Sequence, residues 1–272
     1  MNRFITAVLL IMCTAFNLVK AQNTAEKKPS SQWWLNSSLA DSVDEYLFHV
    51  EGQYGYTKMS GAIEGEMQSG GAKLALRKNI FTNHTEYMID KMNLMIKMMG
   101  MNYKTESQAF TDFLDVDITR LLYGEAGFIW ERDNSLLINN RYSLYAGAGL
   151  NGLIAERHYL KILVAAGRIN QDYTIPVNEL NVVKGAYTAL YIRQNYKYVM
   201  DQRFSLIEQA YYLTNINYSG RYRMSLSLNL NINIIQPVSL MLGYNYKYDK
   251  ESEILGAVGK NTNQTIGINI SL

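Results

Sequence analysis

Hydrophobic and polar residues alternate with a period of two along most of the chain from residue 47 onward. The clearest run extends from Met224 to Ile234, where every second residue is Met, Leu or Ile and each intervening residue is Ser or Asn. Residues 265–272 repeat the pattern, with Ile and Leu opposite Thr, Gly, Asn and Ser. Strict alternation of this kind predicts β-strands with one apolar face and one polar face.

The segments between the alternating runs differ in length in a regular way. Long connections are predicted at 59–69, 99–107, 132–139, 170–183 and 249–261, with a shorter one at 214–219. They alternate with short turns such as those near Thr82-Asn83 and at Thr119–Leu121. Even strand number, long strands and alternating loop lengths are typical of outer-membrane barrels. We therefore predict an all-β fold, a single antiparallel transmembrane β-barrel of twelve strands, with ten or fourteen as alternatives. The predicted strands are 47–58, 70–81, 85–98, 108–118, 122–131, 140–152, 158–169, 184–198, 203–213, 220–233, 238–248 and 262–272.

Two features complicate this interpretation. A half-buried sheet in a soluble sandwich produces the same alternation, so a soluble all-β domain is the alternative architecture. In strand 85–98, an apolar face that contains Met88 and Met92 also contains Asp90, which would then face lipid. A carboxylate near the bilayer midplane costs a few kcal/mol. This strand is therefore expected to be shifted, bulged or partly outside the membrane.

The first 21 residues have the organisation of a secretory signal peptide. Arg3 supplies a positive charge, residues 4–16 are apolar, and Val19–Ala21 provides small residues around a cleavage site. The alternative is a membrane-anchoring helix. Cleavage after Ala21 leaves a polar periplasmic segment at 22–46 and a barrel at 47–272.

Removal of the signal peptide changes the composition. It removes two of the 26 basic residues and no acidic residue, so the mature chain carries 24 charges of each sign. This balance indicates no nucleic-acid partner. The only cysteine, Cys13, is also removed, so a disulfide, a thiol nucleophile and a thiolate metal site are excluded.

The mature chain lacks the motifs of known barrel hydrolases. Barrel phospholipases and lipid A deacylases use a His with a Ser two residues later, and none of the three histidines has one. Asp115 and Asp117 form an Asp-x-Asp pair, but the Asp-x-His of outer-membrane aspartyl-type proteases is absent. We predict no catalytic residue, cofactor or metal. A hydrolase that uses Asp115 and Asp117 is the rival hypothesis.

Charged residues on the polar faces of the strands form the candidate site. Antiparallel pairing about Thr119–Leu121 sets Asp115 opposite Glu125, and pairing about residue 103 sets Lys91 near Asp115. Directly opposed like charges destabilise a sheet, and a cation between them would offset the repulsion. The network is interpreted as paired packing charges or as a selectivity surface for a small ion or solute. The predicted lumenal network is Lys91, Asp115, Asp117, Glu125, Glu131 and Arg141.

One segment is similar to a known family. Residues 123–154 contain an aromatic-rich strand that ends in Glu131-Arg132-Asp133, then a short loop and a Gly- and Ala-rich strand from Arg141 to Gly149. This order resembles the putative salt-induced outer membrane protein family, a group with a domain of unknown function. The resemblance covers residues 47–272. It implies an outer-membrane barrel in a Gram-negative cell and no established activity.

Together these observations predict a protein of the bacterial outer membrane whose role is structural or stress-related, or a narrow and weakly selective pore. Its expected partners are outer-membrane lipid, the barrel assembly machinery and a small ion or solute. A protein that binds an external partner through loops 59–69, 170–183 and 249–261 is a further alternative.

Overall fold

The computed structural model describes residues 44–271 except 60–62, 97–100, 156, 175–184, 202, 219, 236 and 257–258. The predicted signal peptide and almost all of the polar segment 22–46 lie outside the described residues.

Within the described residues the chain forms twelve strands and one short helix. The helix, α1, spans Lys250–Ile254, and a single 3-10 turn spans Asn134–Leu136. No helix in this part of the chain is long and apolar enough to span a membrane. The strands are β1 Leu47–Met59, β2 Ile63–Lys78, β3 Phe81–Ile96, β4 Met101–Asp117, β5 Leu122–Asp133, β6 Ile138–Ala155, β7 His158–Tyr173, β8 Gly185–Val199, β9 Phe204–Asn215, β10 Tyr222–Ile235, β11 Val238–Asp249 and β12 Lys260–Ser271.

The strands close into one antiparallel barrel. Each strand pairs with its neighbours in the sequence, and β1 pairs with β12 to complete the ring. Closure leaves no unpaired edge, which is the condition for β-structure in lipid. The prediction of a single twelve-stranded antiparallel barrel is confirmed, and the alternatives of ten or fourteen strands are wrong.

The two faces of the strands follow the predicted alternation through most of the barrel. In β10, Leu226, Leu228 and Leu230 point outward, while Ser227 and Asn229 point into the lumen. Many of the most exposed residues are large and apolar, including Leu144, Ile234, Ile266 and Ile268. An outer surface of this kind is what a barrel presents to hydrocarbon.

Two hairpins are longer than the sequence pattern predicts. β2 begins at Ile63 and β4 begins at Met101, so the predicted long connections at 59–69 and 99–107 are wrong. The pattern concealed these extensions because their outward positions are polar, as at Glu66 and Glu106. Ladder hydrogen bonds do not require an apolar face, so the strands continue where the alternation fades.

The first short turn is also displaced from its predicted position. It lies at Asn79 and Ile80, with β3 beginning at Phe81, and not near Thr82-Asn83. Asn79 has φ 54°, a conformation that Asn tolerates better than most residues. The connection predicted at 132–139 is also short, because β5 ends at Asp133 and β6 begins at Ile138. Long and short connections therefore alternate less regularly than predicted. We call the end of the barrel that contains the start of β1, the end of β12 and the turn at Asn79 and Ile80 the turn end, and the opposite end the loop end.

Strand β3 corrects the expectation for Asp90. Met88, Asp90 and Met92 face the lumen, because they pair through β2 and β4 with other lumenal positions. The methionines therefore fill interior space. The charged residue on the outer face of β3 itself is Lys91, among the described residues of this strand.

The lumen beside β5 to β9 is filled by aromatic and apolar side chains. Tyr123 and Leu163 are fully buried there, and Tyr145 packs against Tyr191 with ring centroids 5.2 Å apart. Gly149 makes room for Tyr123, because a Cβ at this position would lie 2.3 Å from that ring. Small lumenal residues thus have a packing role in this filled half of the barrel.

Candidate functional site

A first cluster of charges lies in the lumen near the turn end. Arg77 Nη2 lies 2.9 Å from Asp117 Oδ2, and Arg77 Nη1 donates to Thr82 Oγ1 at 2.7 Å. Lys161 contacts Asp115, and His84 Nε2 lies 3.5 Å from the same carboxylate. Arg77, Asp115, Asp117 and Lys161 are all buried. Their charges therefore interact with little screening by water.

Asp115 and Glu125 are direct cross-strand partners, as predicted. Each carboxylate has its own cation: Lys161 contacts Asp115 and Arg193 contacts Glu125. Tyr145 also donates a hydrogen bond to Glu125 at 2.8 Å. The repulsion between the two acids is therefore offset by two cations from β7 and β8.

A second cluster lies near the loop end. Arg223 makes a bidentate contact with Glu131, with nitrogen–oxygen distances of 2.7 and 3.1 Å. Asp249 Oδ2 lies 3.0 Å from Arg223 Nε and 3.0 Å from Arg141 Nη2. Arg141 Nε in turn donates to Gln171 Oε1 at 2.8 Å. Arg141 and Arg223 thus share the fully buried carboxylate of Asp249. The bidentate contact with Glu131 fixes the orientation of the Arg223 guanidinium group.

Asp249 also connects this cluster to helix α1. Its second oxygen accepts hydrogen bonds from the backbone N–H groups of Glu251 and Ser252 at 3.0 and 3.1 Å, which caps the helix. Glu251 accepts from Tyr173 at 3.0 Å and from Gln171 at 2.6 Å inside the barrel mouth. Helix α1 is therefore drawn into the loop end of the lumen.

Apolar and polar contacts hold α1 in this position. Ser252 donates to the backbone oxygen of Leu136 at 2.7 Å, and Leu255 packs with Leu136 and Ile138. On the exposed face of α1, hydrogen bonds from Tyr248 and then from Lys250 lower the pKa of the Glu253 carboxyl. The helix covers the loop end beside the filled half of the lumen.

The half of the lumen beside β9 to β12 and β1 to β4 contains open space. A cavity of about 310 Å³ has a lining that includes Lys73, Glu131 and Arg223. A second cavity of about 100 Å³, nearer the turn end, has a lining that includes His49 and Lys197. Eight residues line both cavities, so the two are adjacent along the barrel. Polar and charged side chains dominate this open half.

The structure separates the six predicted network residues into three groups. Asp115, Asp117 and Glu125 lie together in the turn-end cluster, while Glu131 and Arg141 lie in the loop-end cluster. Lys91 belongs to neither.

The placement of Lys91 beside Asp115 is wrong. Lys91 pairs with Glu106 on the outer face, with a nitrogen–oxygen distance of 3.7 Å, whereas Asp115 pairs with Thr82. The cause is the position of the connection between β3 and β4. It is centred near residues 98–99 instead of 103, which moves the partner of each β3 residue and changes its face.

Sequence reasoning missed five charged residues of the clusters: Arg77, Lys161, Arg193, Arg223 and Asp249. All occupy lumenal positions of the alternating pattern, so their direction could have been predicted. Arg223 and Asp249 are direct cross-strand partners in the hairpin of β10 and β11, so this pair could also have been predicted. The contacts of Arg77, Lys161, Arg193 and Arg223 with Asp117, Asp115, Glu125 and Glu131 join strands that are not neighbours, and the pattern does not encode them.

Among the described residues, no group of three or more His, Asp or Glu side chains is arranged to hold a metal ion. His84 stacks on Phe113 with ring centroids 4.6 Å apart, and its nearest acidic contact is Asp115. Within the described part of the chain, no serine hydroxyl is hydrogen-bonded to it. The contacts of His84 are thus an aromatic ring and a carboxylate that is already paired with Lys161.

A family model described as "Protein of unknown function, DUF481" matches residues 55–271. The chain belongs to this family. The match spans β2 to β12 and almost all of the barrel, and it agrees with the resemblance found in residues 123–154. The family description assigns no function, so the salt-induced label stays a prediction. Comparison with curated proteins finds no significant match.

Solved structures of similar shape are outer-membrane barrels. The translocator domain of the autotransporter NalP from Neisseria meningitidis is 13% identical, with a TM-score of 0.44 over 83% of this chain and 87% of that chain. The NanC porin is 10% identical, with a TM-score of 0.48 over 83% and 100% of the two chains. An outer-membrane channel from Pseudomonas putida F1 is 11% identical, with a TM-score of 0.43 over 90% and 99%. Similarity at this level carries no argument about function.

Proposed function

We propose that this protein is an outer-membrane barrel whose open half forms a narrow, weakly selective passage for small ions and solutes. The observation that carries the proposal is the asymmetry of the lumen. One half is filled by packed aromatic and apolar side chains, and the other half contains two adjacent polar cavities. Twelve strands enclose a lumen between the filled eight-stranded barrels and the aqueous sixteen-stranded porins.

The location in the outer membrane is part of the proposal. The closed sheet and its apolar outer surface support it. The start of β1 and the end of β12 lie at the turn end, which we assign to the periplasm, and the loop end then faces outward. Insertion would depend on the barrel assembly machinery. Fractionation with outer membranes and heat-modifiable migration in SDS gels are the expected results, and recovery as a soluble periplasmic protein would contradict the location.

Planar-bilayer recording of the refolded protein tests the passage. We expect small, discrete conductance steps in KCl. Substitution of Asn229, which faces the open cavity, by Trp should reduce these steps because the larger side chain occupies the lumen. Leu228→Trp is the matched control, because Leu228 precedes Asn229 and points outward. A silent bilayer at high protein load would rule out the passage.

A structural or stress-related envelope role is the second candidate. The two buried ion-pair clusters favour it, because Asp115, Asp117, Glu125, Glu131 and Asp249 each contact at least one cation. The pairs of Arg223 with Glu131 and of Arg141 with Asp249 also join strands that are not neighbours in the sheet. A strain that lacks the protein would then be sensitive to salt or envelope stress while the purified protein stays non-conducting.

We infer that the protein is not an enzyme. Asp115 is held by Lys161 and Asp117 by Arg77, which fits structural roles better than catalysis. The hydrolase alternative can be tested by replacing both Asp115 and Asp117 with Asn. It predicts that the substitution abolishes hydrolysis of lipid or peptide. A loop-binding role now rests on segments 174–184 and 250–259 alone, because residues 63–69 belong to β2.

A further inference from the structure

A row of uncharged polar side chains crosses five neighbouring strands inside the lumen. Each member is the direct cross-strand partner of the next, from β12 through β8. Every member lines the cavity of about 310 Å³. We call this set the amide row, and it consists of Asn263, Asn245, Ser227, Gln209 and Asn195.

The amides of this row are available to a molecule in the cavity. Within the described residues, no hydrogen bond engages the side-chain amides of Asn195, Gln209, Asn245 or Asn263, and Ser227 accepts one from the neighbouring Asn229 at 3.1 Å. Each primary amide has both donors and an acceptor. The row therefore presents both kinds of group to the same space, whereas rings of like charge attract ions of one sign.

Charges around the same cavity are largely neutralised by contacts with opposite charges. Lys73 Nζ lies 3.2 Å from Glu86, and Arg223 contacts both Glu131 and Asp249. Paired charges of this kind attract a charged solute less than isolated charges would. Lys247 and Asp90 also line this cavity, and their opposite charges leave the lining close to neutral. The hydrogen-bonding groups of the amide row therefore favour an uncharged solute with several hydroxyl groups.

The size of the cavity agrees with a small solute. A volume of about 310 Å³ lies at the lower end of the roughly 300–1,000 Å³ that small-molecule sites occupy. We propose that the amide row is a binding subsite for an uncharged, hydroxyl-rich solute, a sugar or polyol of about pentose size. This proposal rests on the passage proposed above and names the solute class that it favours.

The experiment compares sugar entry with ion conduction in the same preparations. Proteoliposome swelling is measured with L-arabinose and with sodium gluconate, which has similar hydroxyl groups but carries a charge, and KCl conductance is measured in planar bilayers. The variants are Asn245→Leu and, on another strand, Gln209→Leu. The control is Gln264→Leu, an amide adjacent to Asn263 that points outward. Heat-modifiable migration establishes that each variant is folded.

The expected result is faster swelling in arabinose than in gluconate. Loss of one hydrogen bond to the sugar in either row variant should slow arabinose entry about fivefold, the equivalent of a typical net hydrogen-bond contribution. KCl conductance should change far less, and the Gln264 control should match the unaltered protein. These outcomes together support the subsite.

Four outcomes overturn the proposal in distinguishable ways. Conduction of KCl without arabinose entry removes the sugar subsite and leaves the passage. Arabinose entry that is equal in both row variants and in the control assigns entry to the lumen as a whole and not to the amide row. Faster entry of gluconate assigns the site to anions. Absence of both KCl conduction and swelling contradicts the passage itself, and the subsite with it.

Discussion

Arg141 and Asp249 are separated by 108 positions in the sequence and form a fully buried ion pair with a nitrogen–oxygen distance of 3.0 Å. Arg223 binds the same carboxylate oxygen. Asp249 also caps helix α1, so one side chain joins the wall of the barrel to the element that covers its loop end. The position of helix α1 is therefore tied to the ion pairs of the loop-end cluster.

Loss of Arg141 should strongly destabilise the barrel. Arg141→Met removes one hydrogen bond to Gln171 Oε1 and leaves Asp249 with one arginine. Removal of one partner of a buried pair typically costs about 3–5 kcal/mol. The free energy of unfolding can be measured from Trp fluorescence in denaturant titrations of the lipid-inserted protein. Arg168→Met, at an exposed outward position on β7, is the control. It breaks no buried ion pair and removes a charge from the outer face, so it should not lower stability.

Neutralising Glu131 and neutralising Glu125 should have different effects on ion preference and on stability. Glu131 lines the open cavity, whereas Glu125 is buried against Arg193 and Tyr145 in the filled half. Glu131→Gln removes a negative charge from the passage, so ion preference should shift toward anions. Glu125→Gln should lower stability with a smaller effect on preference. Reversal potentials in KCl gradients measure both, and equal shifts would show that Glu125 also faces the path.

Thiol labelling should separate the two faces of β10. The chain from residue 22 contains no Cys, so Asn229→Cys and Leu228→Cys each introduce a single thiol. A water-soluble, charged thiol reagent should modify the lumenal Asn229→Cys in intact proteoliposomes. It should leave the outward Leu228→Cys unmodified, because that side chain faces hydrocarbon. Reaction of Leu228→Cys alone would reverse the assignment of faces.

Release of helix α1 should open the loop end. The double substitution Glu251→Ala and Ser252→Ala removes the hydrogen bonds to Gln171, Tyr173 and Leu136, each worth about 1 kcal/mol. Conductance per channel should increase because the helix no longer covers the mouth. Glu253→Ala changes the exposed face of the same helix and should leave conductance unaltered. Equal conductance in all three proteins would remove α1 from any role at the mouth.

Neutralising both Asp115 and Asp117 should not change any rate of hydrolysis. Asp115→Asn with Asp117→Asn should leave the rate of phospholipid or peptide hydrolysis unchanged from the background of the preparation. Stability should fall, because Lys161 and Arg77 lose charged partners in a buried environment. A complete loss of a reproducible hydrolytic activity in the folded double variant would favour the hydrolase alternative.

The alternating pattern determined the fold class, the strand number and the direction of most side chains. It could do so because a strand that separates lipid from a polar lumen must place apolar and polar residues on opposite faces. The cross-strand pair Asp115 and Glu125 was also predictable, because a short turn between β4 and β5 fixes the local register. These features depend on neighbours along one hairpin.

The tertiary structure alone decided where polar strands continue and which charges meet. The pattern faded in residues 63–69 and 101–107, where polar outward positions follow the same ladder, and the resulting register error placed Lys91 beside the wrong partner. Pairs such as Arg141 with Asp249, or Lys161 with Asp115, join strands that meet only when the barrel closes. Such contacts depend on distances across the lumen, and a local period of two contains no information about them.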